Sequence, residues 1–273
     1  MSDAQTPRAD KHHRTFVRSP VRNHWFTGKL LDAYHMKLET DYGTHQRWLV
    51  NRMVLGSGVV AGLDVKPGHV PRSVVITPGL AIDWHGREVI VPAETKSYEI
   101  PQDVIEEAKG YHHHEPTKGA SAADKKAALE SVVVQVQVVY RESDGGPVPV
   151  DTGGDCDSGP CVPGTTTEGY AVRFLPTPEK PVTCHCHVPD LVEDGGVDHA
   201  ALARWVTRHV PLEPPRSAWV TLANIRVMTS DPPQPCQHDQ IDITVRPIVY
   251  SNDLLFQIDL GLADEGSEEQ FRK

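Results

Sequence analysis

Five cysteines supply the most reactive side chains of this 273-residue chain, and all of them lie in its second half. Cys156 and Cys161 are separated by four residues, Cys184 and Cys186 by one, and Cys236 stands alone. Histidines neighbour several of these positions, and thiolate and imidazole are ligands that zinc prefers. The sequence therefore allows a zinc site held by Cys156, Cys161, Cys184 and Cys186, with Cys236 or His238 as substitutes.

Two other outcomes stay open for these cysteines. The spacing of about two residues that commonly separates paired zinc ligands is absent here. Disulfides would form once a particle leaves the cell, leaving the odd cysteine unpaired, or the thiols would stay reduced on loops without any ligand. A metal, a covalent bond or neither could therefore join these segments.

Residues of catalytic type do not form a recognisable catalytic pattern. Asp83, His85, Glu88 and Ser251 could act as acids, bases or nucleophiles, but no spacing places a nucleophile beside a base. The Gly-x-Ser-x-Gly sequence of a nucleophile elbow is missing. Histidines 112–114 are adjacent, so their side chains point in different directions and cannot all reach one ion. We expect no catalytic residues and a protein that is not an enzyme.

A long amphipathic helix is predicted ahead of these residues. Apolar side chains recur there at three- and four-residue steps, as one helix face requires: Leu31, Tyr34, Leu38, Tyr42, Leu49 and Met53. Asp32 is placed to cap the start and Gly56 to end the helix after about 22 residues. The aromatic residues Trp25, Phe26 and Trp48 predict a subunit interface here, with ordinary core packing as an equal alternative.

Short β-branched segments follow the helix and are separated by proline- and glycine-bearing turns. The predicted strands are residues 63–65, 74–77, 80–83, 89–91, 134–140, 170–175, 219–227 and 241–245. A second, short helix begins after Asp198. The predicted fold class is mainly β (α+β): a long N-terminal amphipathic helix, then a β-rich sandwich or barrel-like domain with a cysteine-bearing loop and one short second helix.

Composition along the chain predicts four segments. Residues 1–20 read as a flexible arm, 21–60 as the helical segment, and 263–273 as a loose acidic tail. Residues 61–262 form the β-rich domain, with loop excursions near 102–130 and 144–166. The abundance of turn residues, with Pro 23 and Gly 21, agrees with many loops between short strands.

Charge and hydropathy exclude several classes of function. The net charge is -10, from Lys+Arg 27 against Asp+Glu 37, and phosphate-binding surfaces need clustered cations, so we expect no nucleic-acid partner. No apolar run approaches the roughly 18 residues of a membrane span, and the polar first residues lack a secretory signal. We expect synthesis and assembly in the cytoplasm.

Several motifs resemble one family. They are Trp25 to Leu31, Tyr42, Asn51-Arg52, Gly56 to Leu63, Pro78 to Asp83, Gly86-Arg87-Glu88, Leu222 to Ile225 and Val245 to Asn252. Together they resemble proteins of phage-tail-like extracellular contractile injection systems, where such chains are similar to accessory baseplate or tail-fibre-associated components. The family supplies no catalytic residues to carry over.

The resemblance implies a structural or interaction component of a contractile particle, at its baseplate, spike or fibre end. Its partners would be baseplate, spike, tube or fibre subunits and further copies of itself, with a trimer suggested only by the threefold symmetry of fibres and spikes. The particle would be released from the cell after assembly. The competing interpretation is a metal-stabilised binding module or small metal-dependent enzyme that uses the Cys/His cluster.

Overall fold

The computed structural model describes residues 19–112, 131–149, 161–176, 192–193, 196–208 and 218–270. The helices within these ranges are α1 Ala33–Val50, α2 Gln102–His112, α3 His199–Arg208 and α4 Asn252–Gln270. A π-helical turn spans Asn51–Leu55, and a 3-10 turn spans His238–Gln240. The mixture of helices with antiparallel sheets confirms the α+β fold class.

Twelve short and long strands make up the sheets of the described ranges. The strands are β1 Gly58–Gly62, β2 Val65–Pro67, β3 Ser73–Ile76, β4 Gly79–Ile82, β5 Glu88–Val91, β6 Tyr98–Glu99, β7 Ser131–Pro149, β8 Cys161–Leu175, β9 Val192–Glu193, β10 Gly196–Val197, β11 Val220–Met228 and β12 Ile241–Asp242. Their hydrogen-bonded orders are β1-β4-β5, β2-β3-β6, β12-β11-β7-β8 and β10-β9. Within the described residues none of these sheets closes into a barrel.

Contacts divide the chain into two compact units. The first comprises residues 1–43 and 183–216 and includes most of the described N-terminal segment and α3. The second comprises residues 44–182 and 217–273 and holds three of the sheets and α4. Of the helices that the structure describes, none is long and apolar enough to cross a membrane.

The core of the second unit comes from the predicted strands. Its fully buried aliphatic residues include Leu63, Ile76, Val89, Val134, Val136, Val138, Leu222 and Ile225. At about 25 cal/mol per Å² of apolar surface removed from water, each such side chain contributes about 2 kcal/mol of stabilisation. The predictions of strands near 74–77, 80–83, 89–91 and 219–227 are confirmed.

Both faces of strand β7 are buried between Val134 and Tyr140. Gln135 and Gln137 are 1% and 0% exposed, although they alternate with core valines. Gln135 Nε2 donates to Asn224 Oδ1 at 3.0 Å, and Gln137 Nε2 donates to Gln135 Oε1 at 2.8 Å. Arg173 Nη2 donates to Gln137 Oε1 at 2.7 Å. These hydrogen bonds offset the desolvation that burial of the two amides requires.

The predicted loop at 144–166 is wrong where the structure describes it. β7 continues to Pro149 and β8 begins at Cys161, and the two strands pair along their length. β11 pairs with β7 only as far as Val138, so beyond that point neither edge of the β7–β8 ribbon has a neighbouring strand within the described residues. Prolines are tolerated at such edges because no neighbouring strand needs their missing N–H.

Two predicted C-terminal features also need correction. The tail is helical as far as Gln270, because α4 starts at a capped position and carries apolar residues at helical spacing. The strand predicted at 241–245 ends at Asp242, whose Oδ1 accepts hydrogen bonds from the backbone N–H and the hydroxyl of Thr244 at 2.9 and 2.6 Å. This local turn competes with further strand pairing.

Candidate functional site

The segment before α1 is shaped by a tight turn. The backbone N–H of Lys29 donates to the carbonyl of Phe26 at 3.2 Å, and Gly28 has a φ of +89°. A positive φ at the third residue of a four-residue turn is the geometry of a type II turn, which favours glycine. The Trp25-to-Leu31 motif is therefore a turn followed by the entry to a helix.

Polar contacts of Asn23 and Lys29 hold this turn in place. Asn23 is buried, and its Nδ2 donates to the carbonyl of His35 at 2.6 Å. Lys29 Nζ donates to Asn23 Oδ1 at 3.0 Å and lies 5.1 Å from the centre of the Trp25 ring. Asn23 thus connects the turn to the first turn of α1, which orders the aromatic residues between them.

Asp32 caps α1, as the sequence predicts. Its Oδ1 accepts the backbone N–H of His35 at 2.8 Å, and its carbonyl accepts the N–H of Met36 at 3.1 Å. The backbone hydrogen bond from His35 lowers the pKa of Asp32, with further help from the His35 ring 2.6 Å away. The carboxylate therefore remains charged at the positive end of the helix dipole.

The ordered segment exposes large apolar side chains. We call the N-terminal apolar surface the set Trp25, Phe26, Leu30, Leu31 and Tyr34. Their exposures run from 49% for Trp25 to 79% for Leu30. Scattered apolar side chains are normal on a protein surface, but five exposed ones within ten positions of one capped turn and helix are a concentration typical of binding surfaces.

Trp48, the third predicted interface aromatic, lies in the second unit and is half-buried. Its ring meets that of Tyr140 edge to face, with centroids 6.3 Å apart. Its backbone carbonyl faces Gly86, whose φ is +85° and where a Cβ would collide with that carbonyl. Trp48 therefore packs the end of α1 against a hairpin, and Trp25 and Phe26 are the exposed members of the predicted interface set.

The β4–β5 hairpin uses the residues of catalytic type for its own structure. Asp83 is fully buried, and its Oδ1 accepts the backbone N–H groups of His85 and Arg87 at 2.8 and 2.9 Å. Its Oδ2 accepts Arg87 Nε at 2.7 Å, and the Arg87 guanidinium lies 5.0 Å from the Tyr140 ring. The carboxylate oxygens of Asp83 are thus engaged within the turn itself.

A second set of contacts ties the end of α1 to the same hairpin. Asn51 Nδ2 donates to the carbonyl of Gly86 at 2.9 Å and to Glu88 Oε1 at 2.8 Å. Arg47 Nε forms an ion pair with Glu88 Oε1 at 2.8 Å. Three of the resembling motifs, Asn51-Arg52, Pro78 to Asp83 and Gly86-Arg87-Glu88, therefore meet at one structural junction.

The fourth residue of catalytic type, Ser251, caps α4. Its Oγ accepts the N–H of Leu254 at 3.2 Å, and its carbonyl accepts the N–H of Leu255 at 2.9 Å. Ser251, Asp83 and Glu88 all have structural partners in this way. Their hydrogen bonds hold the β4–β5 turn and the start of α4 in place.

The cysteines are described only in part. Cys156, Cys184 and Cys186 lie outside the described residues, and Cys161, the first residue of β8, is disulfide-bonded. Cys236 is a free, buried thiol whose pKa is raised by burial, and His238 is exposed at the start of the 3-10 turn. Across the described ranges, no three His, Cys, Asp or Glu side chains come together to hold a metal. The zinc site stays a prediction.

Residues that sequence reasoning missed have local signals. Asn23 and Lys29 bracket a turn that Gly28 marks, and only the aromatic residues between them were singled out. Ahead of the predicted tail, Ser251 is followed by Leu254, Leu255 and Ile258 at helical steps. A capping serine before such a pattern is the signature of a helix N-terminus.

Comparisons with known proteins give distant structural matches. No family model matches the chain, and no curated protein matches it. A solved structure described as the baseplate complex from the type VI secretion system aligns over 93% of this chain and 69% of its own, with 10% identity and a TM-score of 0.37. The TssK-TssF-TssG baseplate subcomplex of that system aligns over 84% of this chain and 62% of its own, with 11% identity and a TM-score of 0.35. At these TM-scores the likenesses carry no argument about function.

Proposed function

We propose that this protein is a structural subunit of a phage-tail-like contractile injection particle, at its baseplate, spike or fibre end. The observation that carries the proposal is the N-terminal apolar surface, of which all residues but Tyr34 lie within the Trp25-to-Leu31 motif that resembles such proteins. In this role the protein binds other subunits and performs no reaction. It is made and assembled in the cytoplasm and leaves the cell as part of the particle.

The proposal is supported by the N-terminal apolar surface having an ordered backbone together with exposed side chains. A flexible apolar segment would lose much conformational entropy when it became ordered on binding, which would weaken its affinity. Here Asn23, Lys29 and the capped helix already fix the backbone, so less ordering is needed when a partner covers the side chains. Burying a Trp and a Phe from such a preorganised position is typical of interface residues that dominate affinity.

Co-purification tests the proposal. The tagged protein, expressed in the organism that encodes it, should bring down tube, sheath, spike or baseplate proteins. The double substitution Trp25→Ser/Phe26→Ser should reduce their recovery about tenfold or more, because loss of two aromatic anchors costs at least about 1.4 kcal/mol of binding. Tyr111→Ser is the matched control, since Tyr111 is a comparably exposed aromatic residue on α2. Recovery of no particle proteins with the unaltered chain would refute the proposal.

Zinc remains a separate proposal for the cysteine segments. Cys156, Cys161, Cys184 and Cys186 would be its ligands once the disulfide of Cys161 is reduced, with Cys236 or His238 as substitutes. Elemental analysis of protein purified under reducing conditions without chelator should give about one equivalent of zinc if the four thiolates converge. Less than about a tenth of an equivalent would exclude it, and thiol mass spectrometry would then count the disulfides.

A further inference from the structure

Helix α4 presents a second apolar surface. Leu254, Leu255 and Ile258 lie along one side of the helix, and Phe256 and Leu260, four residues apart, lie along another. All five are exposed, from 36% for Leu254 to 58% for Phe256. A helix that is apolar on more than one side is normally buried against a neighbour. The start of α4 therefore has the character of a buried helix, although no described part of the same chain covers it.

The two apolar surfaces carry opposite charge. Between Asn252 and Gln270 the acidic residues are Asp253, Asp259, Asp264, Glu265, Glu268 and Glu269, and the segment has no Lys or Arg. Over residues 1–31 the basic residues are Arg8, Lys11, Arg14, Arg18, Arg22 and Lys29, against Asp3 and Asp10. Among the described side chains, Asp253, Asp259 and Arg22 are exposed and Lys29 is half-exposed.

This charge distribution selects between the ways in which copies could associate. Two α4 helices side by side would bring acidic residues together, and two N-terminal segments would bring basic residues together, so both symmetric contacts are disfavoured by repulsion. Contact between unlike surfaces covers both apolar sets and places opposite charges at the rim. The N-terminal segment of this chain therefore complements α4 in charge.

We propose that α4 of one copy packs on the N-terminal apolar surface of a second copy. This contact rests on the proposed function and deepens it, because it names a second copy of the chain as one of the subunits that cover the surface. Since the two copies use different surfaces, the contact is head-to-tail and either closes into a ring or extends into a chain. Arg22 and Lys29 of the second copy then lie near Asp253 and Asp259 of α4.

A mixing experiment tests the contact directly. One variant, Trp25→Asp/Phe26→Asp, removes the receiving surface, and the other, Leu255→Asp/Phe256→Asp, removes the inserting helix. Both pairs are exposed, and Asp is compatible with the first turns of a helix, so neither variant should disturb folding. Each variant alone should be monomeric by sedimentation velocity. Their equimolar mixture should form a dimer, because each retains the one surface that the other lacks.

Charge supplies an independent arm. The substitutions Asp253→Lys/Asp259→Lys in the full chain should weaken association by about tenfold, and added salt should weaken association of the unaltered chain in the same direction. Tyr111→Asp, on the exposed face of α2, is the control and should associate normally. Circular dichroism and urea unfolding establish that every variant is folded, and Leu255→Gln/Phe256→Gln replaces the aspartate variant if that one is not.

Each outcome decides the matter. An unaltered chain that stays monomeric at about 100 µM, well above the dissociation constant of a specific subunit contact, overturns the proposal. So does a variant that still associates alone, or a mixture that stays monomeric while the unaltered chain associates. A monomeric chain that still brings down particle proteins refutes this contact and leaves the proposed function standing. A head-to-tail oligomer that brings down no particle proteins supports this contact and refutes the proposed function.

Discussion

Asn51 Nδ2 lies 2.8 Å from Glu88 Oε1, a contact between the π-helical turn after α1 and the first residue of β5. The same amide group donates to the carbonyl of Gly86 at 2.9 Å. One side chain therefore satisfies a turn carbonyl and a carboxylate that also pairs with Arg47. The end of the helix is held to the hairpin by hydrogen bonds as well as by the packing of Trp48.

Asn51→Ala should destabilise the second unit by about 1 to 3 kcal/mol, because a part-buried carbonyl and carboxylate lose their shared donor. Urea unfolding followed by tryptophan fluorescence measures the change. Lys37→Ala, which removes only an exposed ion pair with Asp41 at 3.2 Å, should change stability by about 0.5 kcal/mol or less. Equal effects of the two substitutions would contradict a stabilising role for the hydrogen bonds from Asn51 to Gly86 and Glu88.

Asp83→Asn should cost about 3 kcal/mol, since it removes the carboxylate that fixes the hairpin and leaves Arg87 without its counter-charge. The Asp83 side chain is fully buried and that of Arg87 is 23% exposed, so solvent compensates only in part. Lys109→Ala breaks the exposed Lys109–Glu106 pair and should cost about 0.5 kcal/mol or less. Denaturant midpoints of the two variants, compared at equal m-value, give the test.

Gly86→Ala and Gly43→Ala should change stability in opposite directions. At Gly86 the positive φ and the nearby Trp48 carbonyl leave no room for a Cβ, so alanine should destabilise by at least about 1 kcal/mol. At Gly43, inside α1, nothing lies within 4 Å of an added Cβ, and alanine should stabilise by about 0.5 to 1 kcal/mol. If thermal or urea unfolding gives stability changes of the same sign for both substitutions, the close approach of the Trp48 carbonyl to Gly86 is contradicted.

His85 should make stability fall in acid. Burial lowers the pKa of His85 from its ordinary value of 6.5, outweighing the nearby Asp83 carboxylate, which acts in the opposite direction. The unfolded chain therefore binds the proton more tightly, and this contribution to stability is lost as pH falls below about 6.5. His85→Gln should show a smaller stability difference between about pH 7.5 and pH 5 than the unaltered chain. An unchanged difference would refute the assignment.

Asn23→Ala should loosen the N-terminal apolar surface without affecting the core of the second unit. The substitution removes the hydrogen bond to the His35 carbonyl and the acceptor for Lys29 Nζ. Hydrogen exchange of residues 24–36 should accelerate, while that of β7 and β11 should stay the same. Arg22→Ala is the control, since Arg22 is exposed next to Asn23. If hydrogen exchange of residues 24–36 stays slow in Asn23→Ala, the turn is stable without the Asn23 side chain.

Elements with strong local signals were predictable. The capping of α1 by Asp32, the hairpin at Gly86 and the strand around Val134 to Tyr140 all follow from side-chain spacing and turn chemistry. The part of the β7–β8 ribbon beyond Tyr140 was not predictable, because its Gly and Pro residues are typical of loops. These residues form a strand only because β7 pairs with β8. Local composition does not contain that information.

The candidate surface was predictable in part. Trp25 and Phe26 are identifiable by type as candidates for an interface and are exposed, but Trp48 has the same character and is packed against Tyr140 instead. Residue type does not separate Trp48 from Trp25 and Phe26; the contact that Trp48 makes with Tyr140, which is distant in sequence, does. The roles of Asn23 and Asn51 depend on partners at positions 35, 86 and 88, so no short window of sequence reveals them.

The hydrogen-bonded amides of β7 have a consequence for how this strand finds its partners. When both faces of a strand are buried, an inside-outside pattern no longer distinguishes one alignment from the alignment one residue away. Here a shift of one residue would place Gln135 and Gln137 among core valines and remove their contacts with Asn224 and Arg173. The glutamines therefore favour the observed register, because a one-residue shift leaves their buried amides without hydrogen-bond partners.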